Sequence, residues 1–301
     1  MEISQHKVDK YLKNKKIKSG WVRFDPDATL NYQEFFDNIT TQKRERTRRV
    51  VMFSGDTIHL FTKKLASQTR LPKGELLNAY YRNSAYSDGG ILAGYYSLPY
   101  RITPEAAMYY LTKSTINQFE RMSDKYGKTY DPKRFRKYLI IASIIQKETW
   151  RAEEMPLIAS VIKNRLKKGI KLQLDGTLNY GPFAHTPVTP QRIRSDESRF
   201  NTYKHKGLPP EPIGSVSKKA LEAAFAPADT DYLFFVRDAK GKHVFSKTYN
   251  DHLGHIESTK SEKAMILAVD QNISSGSSAI EVSIPAMDHN NSLTPPSTKH
   301  Q

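Results

Sequence analysis

Tyr138 to Trp150 reads YLIIASIIQKETW, an apolar run that closes on a single carboxylate. On a helix at 100° per residue, Ile141, Ile144 and Ile145 share one stripe, and Glu148 falls on it seven, four and three residues later. Gln146 and Lys147 fall outside. The pattern predicts a central helix packed into a core. A carboxylate aimed as the isoleucines are aimed loses water, and desolvation raises its pKa toward the range where it holds a proton near neutrality. A general acid needs that. A core helix whose last turn emerges into solvent shows the same pattern with no chemistry attached, so this stretch alone leaves both readings open.

Downstream, Glu153 and Glu154 suit a helix N-terminus, Pro156 its first turn, and Lys167, Lys168 and Gly169 its end. Leu172-Gln-Leu-Asp175 alternates, which in an extended segment turns Gln173 and Asp175 away from the leucines and toward a cleft. Gly181 to Pro190 and Asn201 to Ile213 are rich in proline and glycine and read as rigid loops. Ser217 caps a short helix to Phe225. Tyr232 to Arg237 and His243 to Thr248 flank a turn holding Gly241, a hairpin.

Upstream, Met1 to Gly20 is a lysine-rich lead-in, Trp21 to Thr40 carries enough apolar side chains to join a core, and KRERTRR from Lys43 reads as a wet, charged link. Val50 to Phe53 is a short strand, Thr57 to Ser67 and Lys73 to Tyr81 are helices, and Ile91 to Tyr100 is extended, a small domain in outline. A helix over Glu105 to Phe119 leads to the central one. The chain turns polar beyond Leu253, and from Ser274 its composition is that of disorder.

With 301 residues the chain is long enough for two cores. Its net charge of +16 calls for anionic partners, among which nucleic acid, anionic lipid and acidic glycan all qualify. The absence of cysteine removes disulfide and thiolate chemistry. No apolar run reaches the ~18 residues of a membrane span, so the chain as given reads as soluble. No HExxH, Walker loop, dinucleotide fingerprint or GxSxG elbow occurs, and the histidines are scattered; no metal or cofactor is expected. Basic residues are not interleaved with aromatics in a nucleic-acid module, which argues against that partner. Asp175 is the better second carboxylate for glycoside cleavage, although one suffices where the substrate's own C6 hydroxyl attacks the anomeric carbon.

Seven blocks then stand in register: Ala142 to Thr149, Asn164 to Leu166, Leu172 to Thr177 with Tyr180-Gly181, Asn201 to Tyr203, Gly207 to Pro210 with Pro212-Ile213, Tyr232 to Val236 and His243 to Tyr249. Over about Leu139 to His252 they resemble the signature blocks of the MltG (YceG-like) endolytic murein transglycosylases. More loosely, Val50 to Tyr100 resembles that family's LysM-like subdomain. The resemblance implies an α+β fold: a basic segment over 1–46, a LysM-like subdomain and connecting helix over 47–135, a catalytic domain over 136–256 built around the central helix, and a polar, largely disordered tail over 257–301.

It further implies cleavage of the MurNAc–GlcNAc β-1,4 bond inside peptidoglycan strands, leaving 1,6-anhydro-MurNAc ends and terminating nascent strands. Glu148 matches the catalytic glutamate, acid first and base afterwards; Gln146 replaces the first acid of that motif. Gln173, Asp175, Tyr180, Asn201, Tyr203, His243 and Phe245 match positions expected around the glycan. Gly176 stands where the family usually has proline, which predicts a looser turn at Asp175. Family members carry one N-terminal helix in the cell inner membrane, not seen in this chain, with the catalytic part in the periplasm or outside the cytoplasmic membrane. Peptidoglycan synthases are implied as partners. The alternatives are a lysozyme-like hydrolase, which wants Asp175 close to Glu148, and a non-catalytic peptidoglycan-binding scaffold.

Overall fold

The computed structural model describes residues 5–12, 15–25 and 27–274. The chain opens with α1 (Gln5–Leu12) and α2 (Tyr32–Thr41), and α2 starts at a capping box between Asn31 and Glu34. Next come β1 (Thr47–Met52), α3 (Ile58–Thr69), α4 (Lys73–Asn83) and β2 (Gly94–Pro99). The two strands pair antiparallel with Val50 opposite Tyr96. Alternation sends Val50, Met52, Tyr96 and Leu98 to one face, where they meet Ile58, Phe61, Leu65, Leu76 and Tyr80 in a core. The charged link expected over 43–49 is corrected, since β1 begins inside it. Arg48 and Arg49 lie over the rings of Tyr100 and Tyr95, at 4.4 and 5.2 Å, and these cross-strand pairings draw the arginines into the sheet.

α5 (Pro104–Lys125) is capped by Thr103 and joins two cores. Ala107, Met108 and Leu111 complete the first, and Phe119 and Met122 enter the second. α6 (Pro132–Glu148) forms because Asp131 accepts from the Arg134 amide and Pro132 occupies the first turn. Leu139 through Ile145 are all buried, so the helix is covered on every side and not along one stripe. Each such large aliphatic side chain contributes about 1.5–3 kcal/mol. α7 (Met155–Lys167) and α9 (Lys218–Phe225) pack against α6; α8 (Pro190–Ser195) lies between them in the chain, the antiparallel hairpin β3 (Phe234–Arg237) and β4 (His243–Ser246) meets α7, and α10 (Tyr249–Ser274) packs on the hairpin. Among the described residues this is a mixed helix-and-sheet fold with two small two-stranded sheets.

One further expectation changes here. The polar tail from residue 257 is helical as far as Ser274, because the hairpin offers the first turns of α10 a docking face on which Phe234 stacks with His252 at 5.3 Å. Residues 275–301, where the rest of that expectation falls, lie outside the described residues. Among the described residues no helix is long and apolar enough to cross a membrane.

A polar seam binds the two cores. The Gly55 amide donates to Ser215 O and the Ser215 amide to Asp56 O, both at 2.8 Å. Gly214, at φ +156, lets the backbones approach; a Cβ there would stand 2.9 Å from Gly55 O. Lys147 Nζ crosses from α6 to donate to Gly55 O at 2.5 Å. The first core therefore contributes its Ser54-Gly55 turn directly to the surroundings of Glu148.

Candidate active site

Glu148 is the last residue of α6, and the extended Thr149 stops the helix. Its side chain leaves the core between the hairpin and a short 3₁₀ turn over Asp175–Leu178. Oε1 is buried and has no hydrogen-bond partner. Burial, and second the charge of Asp175, push the carboxyl up to about 7, against the Gly176 amide and the Arg237 charge. The carbonyl end of a helix also disfavours an anion. The residue at the end of the apolar stripe thus holds a proton near neutrality, the property a general acid requires.

Its neighbours on α6 line the first side of the same cleft but are tied to other elements. Gln146 Oε1 accepts from the Ser217 amide at 3.0 Å, so a neutral amide serves as a brace at that position. Lys147 is half-buried near Asp56 and Asp88, and desolvation lowers its pKa. Asp88 accepts from the Ile58 and Gly89 amides, while burial pushes it up to about 7.

Two cavities flank Glu148, of about 460 Å³ and about 370 Å³. Both are walled by Glu148, Asp175, Phe235 and Val236. The first is completed by Ser54, Gly55, His185, Arg237 and His243, and the second by Gln173, Tyr203, Arg165 and the start of α10. A ligand running over the carboxyl would continue on both sides of it.

Asp175 is exposed and held by the Tyr203 hydroxyl, which donates to Oδ1 at 2.5 Å. Burial, that bond and the charges of Asp175 and Glu148 push the phenol far up, so it stays protonated and remains a donor. The looser turn expected at Gly176 is corrected. A Cβ there would stand 2.6 Å from Lys147 Cβ and 2.9 Å from Glu148 Oε1, so the glycine lets the turn press on the end of α6 and set Asp175 beside Glu148.

Gln173 sits in the second cavity with φ +50, its amide donating to Thr202 O at 3.2 Å. His243 lines the first cavity. The remaining three positions of the sequence reading face the protein. Asn201 is fully buried; its amide donates to Ile193 O and Asp196 O at 2.8 Å each, and its oxygen accepts from the Tyr203 amide. It shapes the loop that carries Tyr203, and its polar atoms are consumed in doing so. Tyr180 stacks on Phe200 at 4.1 Å and donates to Asp196, in neither cavity. Phe245 pairs across the hairpin with Phe235, its ring 5.9 Å away on the same face, and lines neither cavity.

Sequence reasoning missed Arg237, His185 and Glu154. Arg237 Nη2 donates to Glu148 O at 2.9 Å, and His185, at φ +58, meets the buried Asp56 at 3.1 Å. Neither pairing is local in sequence. Glu154, read as first-turn charge, is buried with its carboxylate turned away from the α7 amides. Among the described residues no group of three His, Asp or Glu side chains converges as a metal site would require.

The YceG-like family model matches residues 3–258. An endolytic murein transglycosylase of Bacillus subtilis (strain 168) is 34% identical over 155 residues, spanning 50% of this chain and 42% of that protein. A protein of the same description from Streptococcus pneumoniae is 33% identical over 120 residues, 38% of this chain and 22% of that one. The matches thus span less than half the length of these relatives. The 2.6 Å crystal structure of a YceG-like protein from Listeria monocytogenes superposes with a TM-score of 0.59 at 25% identity, over 82% of this chain and 87% of that one.

Proposed function

The chain belongs to the YceG-like family, and we propose that it is an endolytic lytic transglycosylase acting on peptidoglycan. The observation that carries this reading is the setting of Glu148: one oxygen sealed and unpartnered, its pKa raised to about 7, at the junction of two cavities. In the proposed reaction the Glu148 carboxylic acid protonates the glycosidic oxygen between MurNAc and GlcNAc, and the C1–O bond breaks. The oxocarbenium-like C1 is closed by the C6 hydroxyl of the same sugar, whose proton passes to the Glu148 carboxylate. The product is a 1,6-anhydro-MurNAc end; no water is consumed and the acid is regenerated.

Asp175, held by the Tyr203 hydroxyl beside Glu148, supplies a carboxyl group to the cationic transition state. Gln173, Tyr203 and His243 contact the glycan on either side. Cavities on both sides of the acid favour cutting within a strand, which fits a role in terminating nascent strands. The order β1, α3, α4, β2 supports a LysM-like reading of the first unit. Peptidoglycan places the reaction outside the cytoplasmic membrane, in the company of the synthases that supply new strands. The net charge of +16 suits the carboxylates of stem peptides and lactyl groups.

Digestion of intact sacculi with analysis of the products by mass spectrometry tests the reading. Internal fragments with anhydro-MurNAc ends are expected from the wild type, and a loss of about 10²–10⁴-fold or more from Glu148→Gln. Anhydro ends persisting in Glu148→Gln would overturn the assignment. The charge of Asp175 on Glu148 favours one second reading, a lysozyme-like hydrolase, which would give reducing ends instead.

A further inference from the structure

Glu154 immediately precedes α7, where an acidic residue ordinarily caps free amides, and its carboxylate does not do so. Instead it collects three donors from two elements of the cleft. Thr149 Oγ1, at the stop of α6, donates to Oε2 at 2.6 Å. From β4, the His243 amide donates to Oε1 at 3.0 Å, and His243 Nδ1 lies 2.7 Å from Oε2. Burial pushes this carboxyl up, but the bonds from Thr149 and His243 outweigh it and leave it below the usual range. It is therefore an anion at neutral pH.

An anionic acceptor determines the histidine tautomer: Nδ1 carries the hydrogen, and in the neutral ring the lone pair is on Nε2. The ring is 4% exposed, pinned by Glu154 and packed edge-on to Phe235 at 5.1 Å. Nε2 has no hydrogen-bond partner among the described residues, yet the ring lines the same cavity as Glu148. A rigid, oriented acceptor is thus presented to whatever fills that cavity.

We propose that Glu154 is a positioning residue of this active site, holding His243 as the Nδ1–H tautomer so that Nε2 accepts a hydrogen bond from a sugar hydroxyl of the glycan poised at Glu148. The inference rests on the transglycosylase reading above. Activity then falls at high pH as Glu148 ionises.

Other charges facing the ring are Glu148 and Lys147 at the end of α6, Arg151 near Glu154, Asp175 on the 3₁₀ turn, His185 on its loop, and Arg237, the cross-strand neighbour of His243. Among the described residues Glu154 alone is hydrogen-bonded to the ring nitrogen. A glutamine there presents either an oxygen or a nitrogen to Nδ1, so the tautomer is no longer fixed, while Glu148 and the alkaline side are untouched.

The test is the pH profile of anhydro-end formation by wild type, Glu154→Gln, His243→Ala and the double variant, with melting temperatures alongside. Glu154→Gln is expected to lose about tenfold or more in kcat/KM, the alkaline limb set by Glu148 staying in place. His243→Ala is expected to lose at least as much, and adding Glu154→Gln to it should cost little further. Should Glu154→Gln fold poorly, His243→Ala alone decides, because an unchanged kcat/KM overturns the proposal. So do additive losses, or a folded Glu154→Gln protein with unchanged kcat/KM. Failure of the underlying reading looks different: a wild type without anhydro ends, or a Glu148→Gln protein that still makes them.

Discussion

The elevated pKa of Glu148 is a statement about stability as well as catalysis, and Glu148→Gln measures it. In the unfolded chain the carboxyl titrates near 4.5, and in the folded protein near 7. The folded state therefore binds the proton more tightly. Below the unfolded value both states are protonated and nothing is lost; stability then declines as pH rises through 4.5 to 7, and above 7 the full cost of burying the anion is present. A difference of about 2.5 units at about 1.36 kcal/mol each gives roughly 3 kcal/mol. Relaxation around the partly exposed carboxyl reduces this to about 2–3 kcal/mol.

Glutamine has the same shape and no charge to bury. Its unpaired amide adds a cost that does not vary with pH, so the mutant-minus-wild-type difference isolates the titration. Other raised carboxyls, Asp88 among them, are common to both proteins and cancel. Thermal melts at pH 5, 6, 7 and 8 are the assay. The variant should gain on the wild type steadily across this range, by about 5–10 °C in Tm between the ends, at 2–4 °C per kcal/mol for a chain of this size. A difference that stays flat with pH, or one that turns against the variant at pH 8, would refute the argument that Glu148 is held protonated by burial.

Three further outcomes follow from the geometry. Tyr203→Phe removes the donor to Asp175 and should lower kcat/KM about tenfold, the worth of one hydrogen bond to a charged group, with anhydro ends still the product by mass spectrometry. Asn201→Ala forfeits three buried hydrogen bonds and should cost about 3 kcal/mol in urea unfolding, while kcat measured well below the melting temperature changes far less. Lys147→Met forfeits the bond to Gly55 O and the half-buried cation whose charge acts on Asp88, and should cost about 3 kcal/mol at pH 8. Because Asp88 takes up a proton near 7, that penalty should shrink on going to pH 6 in the same unfolding experiment.

Local pattern alone determined much of this protein. The caps at Asp131, Thr57 and Ser217, the prolines in first turns, the alternation of β1 and β2 and the glycine of the hairpin turn all act within a few residues, so periodicity and capping chemistry locate them. The stripe ending on Glu148 belongs with these, as does the alternation that exposes Gln173 and Asp175 and buries their leucine neighbours. Composition and charge pointed correctly to a folded, basic chain, but misjudged residues 257–274, since a polar helix held by docking on a hairpin looks from its own sequence like a tail.

The tertiary structure decided what local pattern could not, because burial and hydrogen bonding join residues distant along the chain. Asn201 and Asp175 look alike as polar residues in loops; only the carbonyls of Ile193 and Asp196 closing on one, and an open cleft beside the other, separate a brace from a cleft-lining residue. Gly176 reads as freedom and acts as contact, because the end of α6 fills the space a side chain would need. Glu154 reads as helix polarity and acts on His243, 89 residues away. Whether Glu148 holds its proton near neutrality likewise lay outside its own helix, in the turn at Gly176 and the hairpin that remove its water.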